Sequence, residues 1–218
     1  MAISSRSTLS TNDNGTLDRV SLGERLRQIR KEQGRTLVEV AKRSGLATST
    51  VSKVERGLMS LAYDRFMQLA DGLGVDVSEL FTPEGETFAP QSFALTRDGA
   101  ARHHETDLYV YDMLGAELLN KQMVPMIGII RAHDIQDFSE YVRHSGEEFL
   151  MVLEGELEVH IEGRETVHLG LHDSIYFDSG MGHLYVSAGK TDTKIIVVCT
   201  RSGTARTTLA EEGQGQGQ

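Results

Sequence analysis

The stretch that most constrains this chain is residues 36–57, TLVEVAKRSGLATSTVSKVERG. Leu37, Val40 and Ala41 place small and apolar residues on one side of a short helix. Ser44-Gly45 ends it, because glycine enters the left-handed conformation of a C-cap without a Cβ clash. Val51 and Val54 give a second short helix its buried side, and Gly57 closes it. The remaining positions of that second helix are Thr48, Ser49, Thr50, Ser52, Lys53 and Arg56. These side chains are short and hydroxylated or basic, which suits contacts to base edges and phosphates. The pattern asks for two helices that nearly touch at Ala41, a glycine turn, and an apolar anchor at Val51 behind a polar reading face.

Flanking segments complete a small helical bundle. Residues 21–33 predict a helix with Leu22, Leu26 and Ile29 as its apolar stripe, opened by a Ser21/Glu24 capping box. Residues 63–73 predict a fourth helix with Phe66, Leu69, Ala70 and Leu73 inward, broken by Gly72 and Gly74. Residues 75–81 predict a short fifth helix with Leu80 and Phe81 packed. Pro83-Glu84-Gly85 then ends the bundle.

Residues 22–81 resemble the helix-turn-helix domain of Cro-like, phage-repressor (XRE-type) transcriptional regulators. The resemblance is carried by LGERLRQIRKEQGRTLVEVAKRSGLATSTVSKVERG followed by a further helix and VDVSELF. It implies binding to double-stranded DNA. It also implies that Thr48, Ser49 and Lys53 meet bases, while Thr50, Ser52 and Arg56 meet phosphates or the edge of the groove. An N-cap role for the Thr48 hydroxyl is the structural alternative at that position. Arg30 matches a place where the family pairs an arginine with a glutamate of the recognition helix, here Glu55. That pair would fix the first helix against the third rather than touch DNA.

The net charge of −10 over 218 residues argues against nucleic acid only until its distribution is seen. Residues 19–65 hold eleven Lys/Arg against five Asp/Glu, and residues 66–218 hold ten against twenty-five. A basic module joined to an acidic one fits a DNA reader carrying a separate sensor. The single cysteine, Cys199, permits no intramolecular disulfide and fits a reducing cytoplasm. No apolar run is long enough to span a membrane, and the polar first 18 residues lack the apolar core of a secretory signal.

From residue 93 the periodicity changes. Eight β-type runs recur at short spacing, at 108–113, 126–132, 148–153, 157–162, 165–169, 174–177, 184–188 and 194–200. They predict an all-β sandwich or barrel. Glu154-Gly155 and Glu162-Gly163 read as hairpin turns.

Within this half, HSGEEFLMVLEGELEVHIEGRETVHLGLHDSIYFDSGMGH is similar to the cupin family of jelly-roll barrels. The places of the family's first motif fall on Val142, His144, Glu148 and Gly155. Those of the second fall on His172, Asp178, Gly180, His183 and Ser187. The resemblance implies a divalent metal, such as Zn, Fe, Mn or Ni, on His144, Glu148 and His183. Val142 stands where the family has a first histidine, and Tyr141 and His160 are the neighbours that could supply a missing donor. Three ligands with open positions would suit a metal completed by water or an effector. Arg131, Tyr141, Tyr176 and Tyr185 are the candidate lining of an effector pocket.

The expected organisation is multidomain, α plus all-β. A disordered arm (1–18) precedes a five-helix helix-turn-helix bundle (19–81). A linker (82–92) leads to a cupin barrel for sensing and dimerisation (93–202) and a low-complexity tail (203–218). The function that follows is a cytoplasmic, homodimeric, repressor-type regulator on a palindromic operator, with a small-molecule effector and no catalytic residues. The alternatives are a constitutive regulator whose barrel only dimerises, and a metal-dependent cupin enzyme with a DNA-binding module.

Overall fold

The computed structural model describes residues 19–61, 63–75, 77–81 and 85–200. The expected arm and tail lie outside these residues, as does the side chain of Phe81. The N-terminal half contains α1 (Arg19–Glu32), α2 (Leu37–Ser44), α3 (Thr48–Glu55), α4 (Tyr63–Leu73) and α5 (Val77–Phe81). Four of these run eight residues or more. The expected fifth helix is a single five-residue turn that begins two residues late.

Two details of the expected helices are corrected by packing. Helix α1 starts at Arg19, so Ser21 lies inside its first turn instead of capping it. Gly72 does not break α4. It lies within the helix, and a Cβ there would meet the Ser44 Cβ at 2.7 Å, so glycine is what lets α4 lie against the end of α2. Helix α2 opens with a capping box that the sequence reading missed. The Thr36 hydroxyl accepts from Glu39 N–H, and the Glu39 carboxylate accepts from Thr36 N–H at 2.7 Å. It ends at Gly45, in the left-handed region at φ 71°.

Leu26, Val40, Val51, Val54, Phe66 and Leu69 fill the helical core, each 2% exposed or less. The bundle therefore owes its stability to one shared apolar centre rather than to individual helix propensities. Arg35 Nη1 donates to Gly72 and Leu73 carbonyls at 3.0 and 2.6 Å, and Arg43 Nε donates to Gly72 O at 2.7 Å. Two guanidinium groups thus satisfy the C-terminal carbonyls of α4, where the helix dipole favours positive charge.

The C-terminal half is built from β1 (Glu86–Thr87), β2 (Arg102–Glu105), β3 (Tyr109–Met113), β4 (Leu118–Leu119), β5 (Met123–Ile130), β6 (Glu147–Glu154), β7 (Leu157–Ile161), β8 (Val167–Leu169), β9 (Ser174–Asp178), β10 (His183–Ser187) and β11 (Thr193–Thr200). A six-stranded antiparallel sheet has the order β2-β3-β5-β11-β6-β9, and a three-stranded one the order β10-β7-β8. Inward residues of both sheets, among them Leu150, Val152, Ile195, Val197, Leu157, Val159 and Tyr185, share one core. The alternation is strict in β5 and β11, where every second side chain is buried, and holds in β6 up to Leu153. All eight expected strand regions hold a strand. Strands β1, β2 and β4 escaped the sequence reading because β1 and β4 are two residues long and β2 (Arg-His-His-Glu) is polar. Strand β1 falls inside the expected linker and pairs with β4.

The two halves touch. Gln68 Nε2 of α4 donates to Arg143 O at 2.6 Å, and Ser145 Oγ donates to Asp71 Oδ2 at 3.1 Å. His104, in the polar strand β2, is only 6% exposed: its Nε2 donates to Leu61 O at 2.5 Å, and its ring meets Phe66 edge-on. Strand β2 places this histidine against the helical half, a position that no local pattern announces.

Candidate functional site

The first candidate surface is the exposed side of α3. Val51, Val54 and Glu55 are buried, which turns Thr48, Ser49, Lys53 and Arg56 outward with Thr50 and Ser52 partly exposed. Thr48 is not the N-cap. Ala47 occupies that position and provides no side-chain bond, so the Thr48 hydroxyl is not engaged as a cap. The α3 N-terminus thus presents backbone N–H groups of the kind that phosphates seek. Arg56 Nε donates to Ser52 O at 3.2 Å, which holds its guanidinium along the helix flank.

Glu55 faces inward, although it carries a charge. Arg30 Nε and Nη2 donate to its two carboxylate oxygens at 2.5 and 2.8 Å, and Arg30 Nη1 donates to Arg35 O at 2.9 Å. The pairing raises the Arg30 pKa further above its already high value, mainly through the Glu55 hydrogen bond. A two-toothed pair of this kind fixes orientation as well as distance. It locks α3 onto α1, as the sequence reading expected, and removes both residues from the reading face.

The second candidate site is polar and lies inside the barrel. Its centre is Glu148, 1% exposed, on β6. Tyr185 Oη on β10 donates to Glu148 Oε1 at 2.5 Å, and Tyr185 is itself anchored, with its N–H and carbonyl both bonded to Tyr109 Oη. This leaves Glu148 Oε2 aimed at two histidines. His144 Nε2 lies 3.0 Å from it and His183 Nε2 3.7 Å. The two imidazole rings meet edge-on with centroids 5.3 Å apart. Burial pushes the Glu148 pKa up, but the His144 bond, the two nearby imidazoles and the Tyr185 bond outweigh it and hold the carboxyl below the usual range.

The tautomer of His183 follows from its neighbours. Nδ1 lies 2.9 Å from Met181 O, and a carbonyl only accepts, so Nδ1 carries a proton. The other ring nitrogen, Nε2, faces the Glu148 carboxylate. That nitrogen is buried and makes no hydrogen bond. The 3.7 Å between this nitrogen and Glu148 Oε2 leaves room for a shared cation, a proton or a metal ion. A histidine oriented by a backbone carbonyl on its far nitrogen is the usual support for a metal ligand. The donor set of His144, Glu148 and His183 therefore fits a divalent metal.

Val142, 6% exposed, supplies no donor. Its backbone bridges His183, with Val142 N–H to His183 O at 3.2 Å and the reverse bond at 2.9 Å. Ser187 is structural: its Oγ donates to Ile130 O at 2.7 Å and accepts from Thr193 N–H. His160 does not replace the missing donor. It lies on the outward side of β7, where Nε2 is 3.2 Å from Glu158 and Nδ1 3.2 Å from the Thr166 hydroxyl.

The four expected effector-pocket residues do not converge. Tyr185 is 1% exposed and holds Glu148. Tyr176 lies on the outer side of β9, 63% exposed, and donates to Glu147. Arg131 is exposed and pairs with Glu105 at 2.5 Å. Tyr141 packs beside Gly182. A cavity of about 450 Å³ opens elsewhere, between α2, α4 and the barrel, lined by Lys42, Arg43, Gln68, Asp71, Arg143 and His144 among others. His144 belongs to its wall, with its side chain turned inward to the cluster and fully buried. The sequence reading missed it because its walls come from both halves.

A DNA-reading helical bundle joined to a jelly-roll barrel with a buried His/Glu cluster defines the class: a helix-turn-helix protein with a cupin domain. Residues 26–80 match the helix-turn-helix family, and residues 136–199 match the cupin domain. The chain thus carries an XRE-type helix-turn-helix domain and a cupin domain. It is 25% identical over 181 residues to the HTH-type transcriptional regulator PuuR of Escherichia coli, covering 80% of this chain and 91% of that protein. It is 36% identical over 67 residues to the HTH-type transcriptional regulator SinR of Bacillus licheniformis, covering 30% of this chain and 60% of that one. An HTH_3 family transcriptional regulator from Vibrio cholerae shares the fold, with a TM-score of 0.59, 17% identity and coverage of 84% and 97%. No helix among the described residues is long and apolar enough to cross a membrane.

Proposed function

We propose that this chain is a sequence-specific regulator of transcription whose barrel senses a small molecule through a bound divalent metal. Residues 19–81 read the operator. Thr48, Ser49 and Lys53 contact base edges, and Thr50, Ser52 and Arg56 contact phosphates or the rim of the groove. Residues 93–202 form the sensor. Two copies pair, setting their α3 helices about 34 Å apart on a palindromic site. Such a protein works in a reducing cytoplasm, where its DNA is.

His144, Glu148 and His183 hold the metal, with Tyr185 orienting the carboxylate and Met181 O orienting His183. The metal supplies a Lewis-acidic centre to which an effector oxygen or nitrogen binds. No residue of the barrel is assigned a catalytic step.

The observation that carries this reading is the position of His144 between two contacts with α4. Arg143 O accepts from Gln68, and the Ser145 hydroxyl donates to Asp71. On the barrel side, His144 N–H donates to Ser179 O at 3.0 Å. The segment that carries a ligand therefore bridges the cluster and the reading bundle. Filling the cluster biases this segment, and through α4 it biases the packing of α2 and α3. A ligand acts on such an equilibrium only through its differential affinity for the two states.

The test is an operator-binding titration at fixed salt. The operator is selected from a random duplex pool with the wild-type protein, and affinity is compared for chelator-treated and Zn-loaded protein. A change within the usual 5- to 150-fold range is expected, roughly 1–3 kcal/mol. A Gln68→Ala/Ser145→Ala variant should bind operator but lose the metal dependence. Equal affinities in the wild type would refute metal-linked sensing and leave a constitutive regulator.

A further inference from the structure

The buried cluster contains a donor that neither histidine pattern nor carboxylate spacing reveals. Strand β11 pairs with β6 so that Cys199 stands directly opposite Glu148. Positions 148, 150 and 152 of β6 and 195, 197 and 199 of β11 all point inward. Directly opposed residues on one face of an antiparallel pair have Cβ atoms roughly 4.5–5.5 Å apart. Cys199 is 1% exposed, and its Sγ, a Glu148 carboxylate oxygen and a His144 ring nitrogen all lie within 4.8 Å of one another.

We propose that Cys199 Sγ is a fourth protein ligand of the metal held by His144, Glu148 and His183. This rests on the metal reading given above. Three observations lead to it. The cysteine is in place, on a rigid central strand opposite the carboxylate. His183 Nε2, 1% exposed and without a hydrogen bond, points at that same carboxylate from β10, 3.7 Å from Oε2. Val142 leaves the neighbouring position without a donor.

Charge makes the same demand. Two neutral imidazoles and one carboxylate around a dication leave one uncompensated positive charge in a buried site, which is costly. A thiolate brings the shell to neutrality. Metal binding takes the proton from Cys199 Sγ and releases it to solvent, while the His144 ring stays neutral by carrying its proton on the nitrogen that does not face the metal.

The donor set also selects the ion. Two imidazoles, a carboxylate and a thiolate suit Zn(II) or Co(II) in a four-coordinate site, and a soft thiolate discriminates against Mn(II), Mg(II) and Ca(II). This narrows the range that the three hard and borderline ligands alone would admit.

The experiment loads full-length protein with Co(II) and follows its near-ultraviolet and visible absorption during the titration. With one cysteine in the chain, a thiolate-to-cobalt charge-transfer band has a single source. The wild type is expected to show that band, saturating at one Co(II) per chain. Cys199→Ser and Cys199→Ala should lose the band and bind Co(II) at least roughly 10- to 100-fold more weakly, the loss already typical of an outer-shell partner. Circular dichroism of both variants checks that they fold. Two results overturn the proposal. If the wild type binds one Co(II) without the band, and Cys199→Ser binds it equally well, Cys199 is not a ligand and the three-residue metal site stands. If the wild type binds no Co(II), the metal site itself is wrong and the Cys199 assignment falls with it.

Discussion

Replacing Glu55 by alanine should destabilise the helical bundle while leaving every outward side chain of α3 in place. Glu55 and Arg30 have side chains 7% and 12% exposed, so the pair is largely shielded from water. The substitution strands a guanidinium that keeps only one of its three bonds, the one to Arg35 O. Each bond to a charged group contributes about 1.5–3 kcal/mol, and breaking a buried pair costs about 3–5 kcal/mol. Arg30 retains some access to water, so a loss of about 2–4 kcal/mol is expected. At a urea dependence of about 2 kcal/mol/M, the middle of the usual range, the midpoint falls by roughly 1–2 M. The assay is urea unfolding followed by far-ultraviolet circular dichroism, where the helices dominate the signal. Glu55→Gln, which keeps one acceptor, should lose less. An Arg30→Met/Glu55→Leu double variant should recover most of the stability, because apolar replacement of a buried pair is often neutral or better. An unchanged midpoint for Glu55→Ala, or a double variant as unstable as the two single losses combined, would show that the pair does not anchor α3.

Four further outcomes can be checked independently. Arg56→Ala should lower the slope of log affinity against log salt by about 1 and weaken all duplexes alike, whereas Lys53→Ala should weaken the operator more than random DNA; a Lys53→Ala protein with unchanged operator affinity removes Lys53 from the base contacts. Tyr185→Phe should lower metal affinity roughly 10- to 100-fold by freeing Glu148 Oε1, and an unchanged affinity in a metal titration would contradict its positioning role. Gly72→Ala should cost about 1–3 kcal/mol, since the new Cβ would sit 2.7 Å from the Ser44 Cβ, and thermal denaturation reads it directly. The Glu39 carboxyl is held below its usual range, chiefly by the Thr36 N–H. A depressed folded pKa means that this contribution is complete above the ordinary carboxylate pKa of about 4.3 and is lost as pH falls through the lower folded value. Carbon NMR titration of Glu39 in the native protein should place its midpoint below that of an unfolded control, and coincident midpoints would deny the capping box.

How much of this was legible in the sequence depended on the range of the interaction. The α2–turn–α3 unit was readable because its signals are local: apolar spacing, Gly45 at the turn, and hydroxyl and basic residues on one side of a helix. Strands of alternating burial were readable for the same reason, since period two is written in consecutive residues. Local pattern failed where the partner is distant. Thr48 resembles a cap, yet the cap is Ala47. Gly72 resembles a breaker, yet it is a contact point for Ser44. Arg35 and Arg43 are surface cations in sequence, and in the structure they close the end of α4.

The sequence by itself determined the two-part organisation, because a change of periodicity is written along the chain, while the reading helix and the candidate donors His144, Glu148 and His183 were what its resemblance to the helix-turn-helix and cupin families implied. Only the tertiary structure decided that Cys199 faces Glu148. A strand register lies behind that pairing, and registers follow from the packing of whole sheets rather than from any short run. It alone also decided that His144 stands between Gln68 and Asp71 contacts, joining barrel to bundle. Contacts between residues 75 positions apart carry no periodic trace in sequence, because they are fixed only when two separately encoded cores pack against each other.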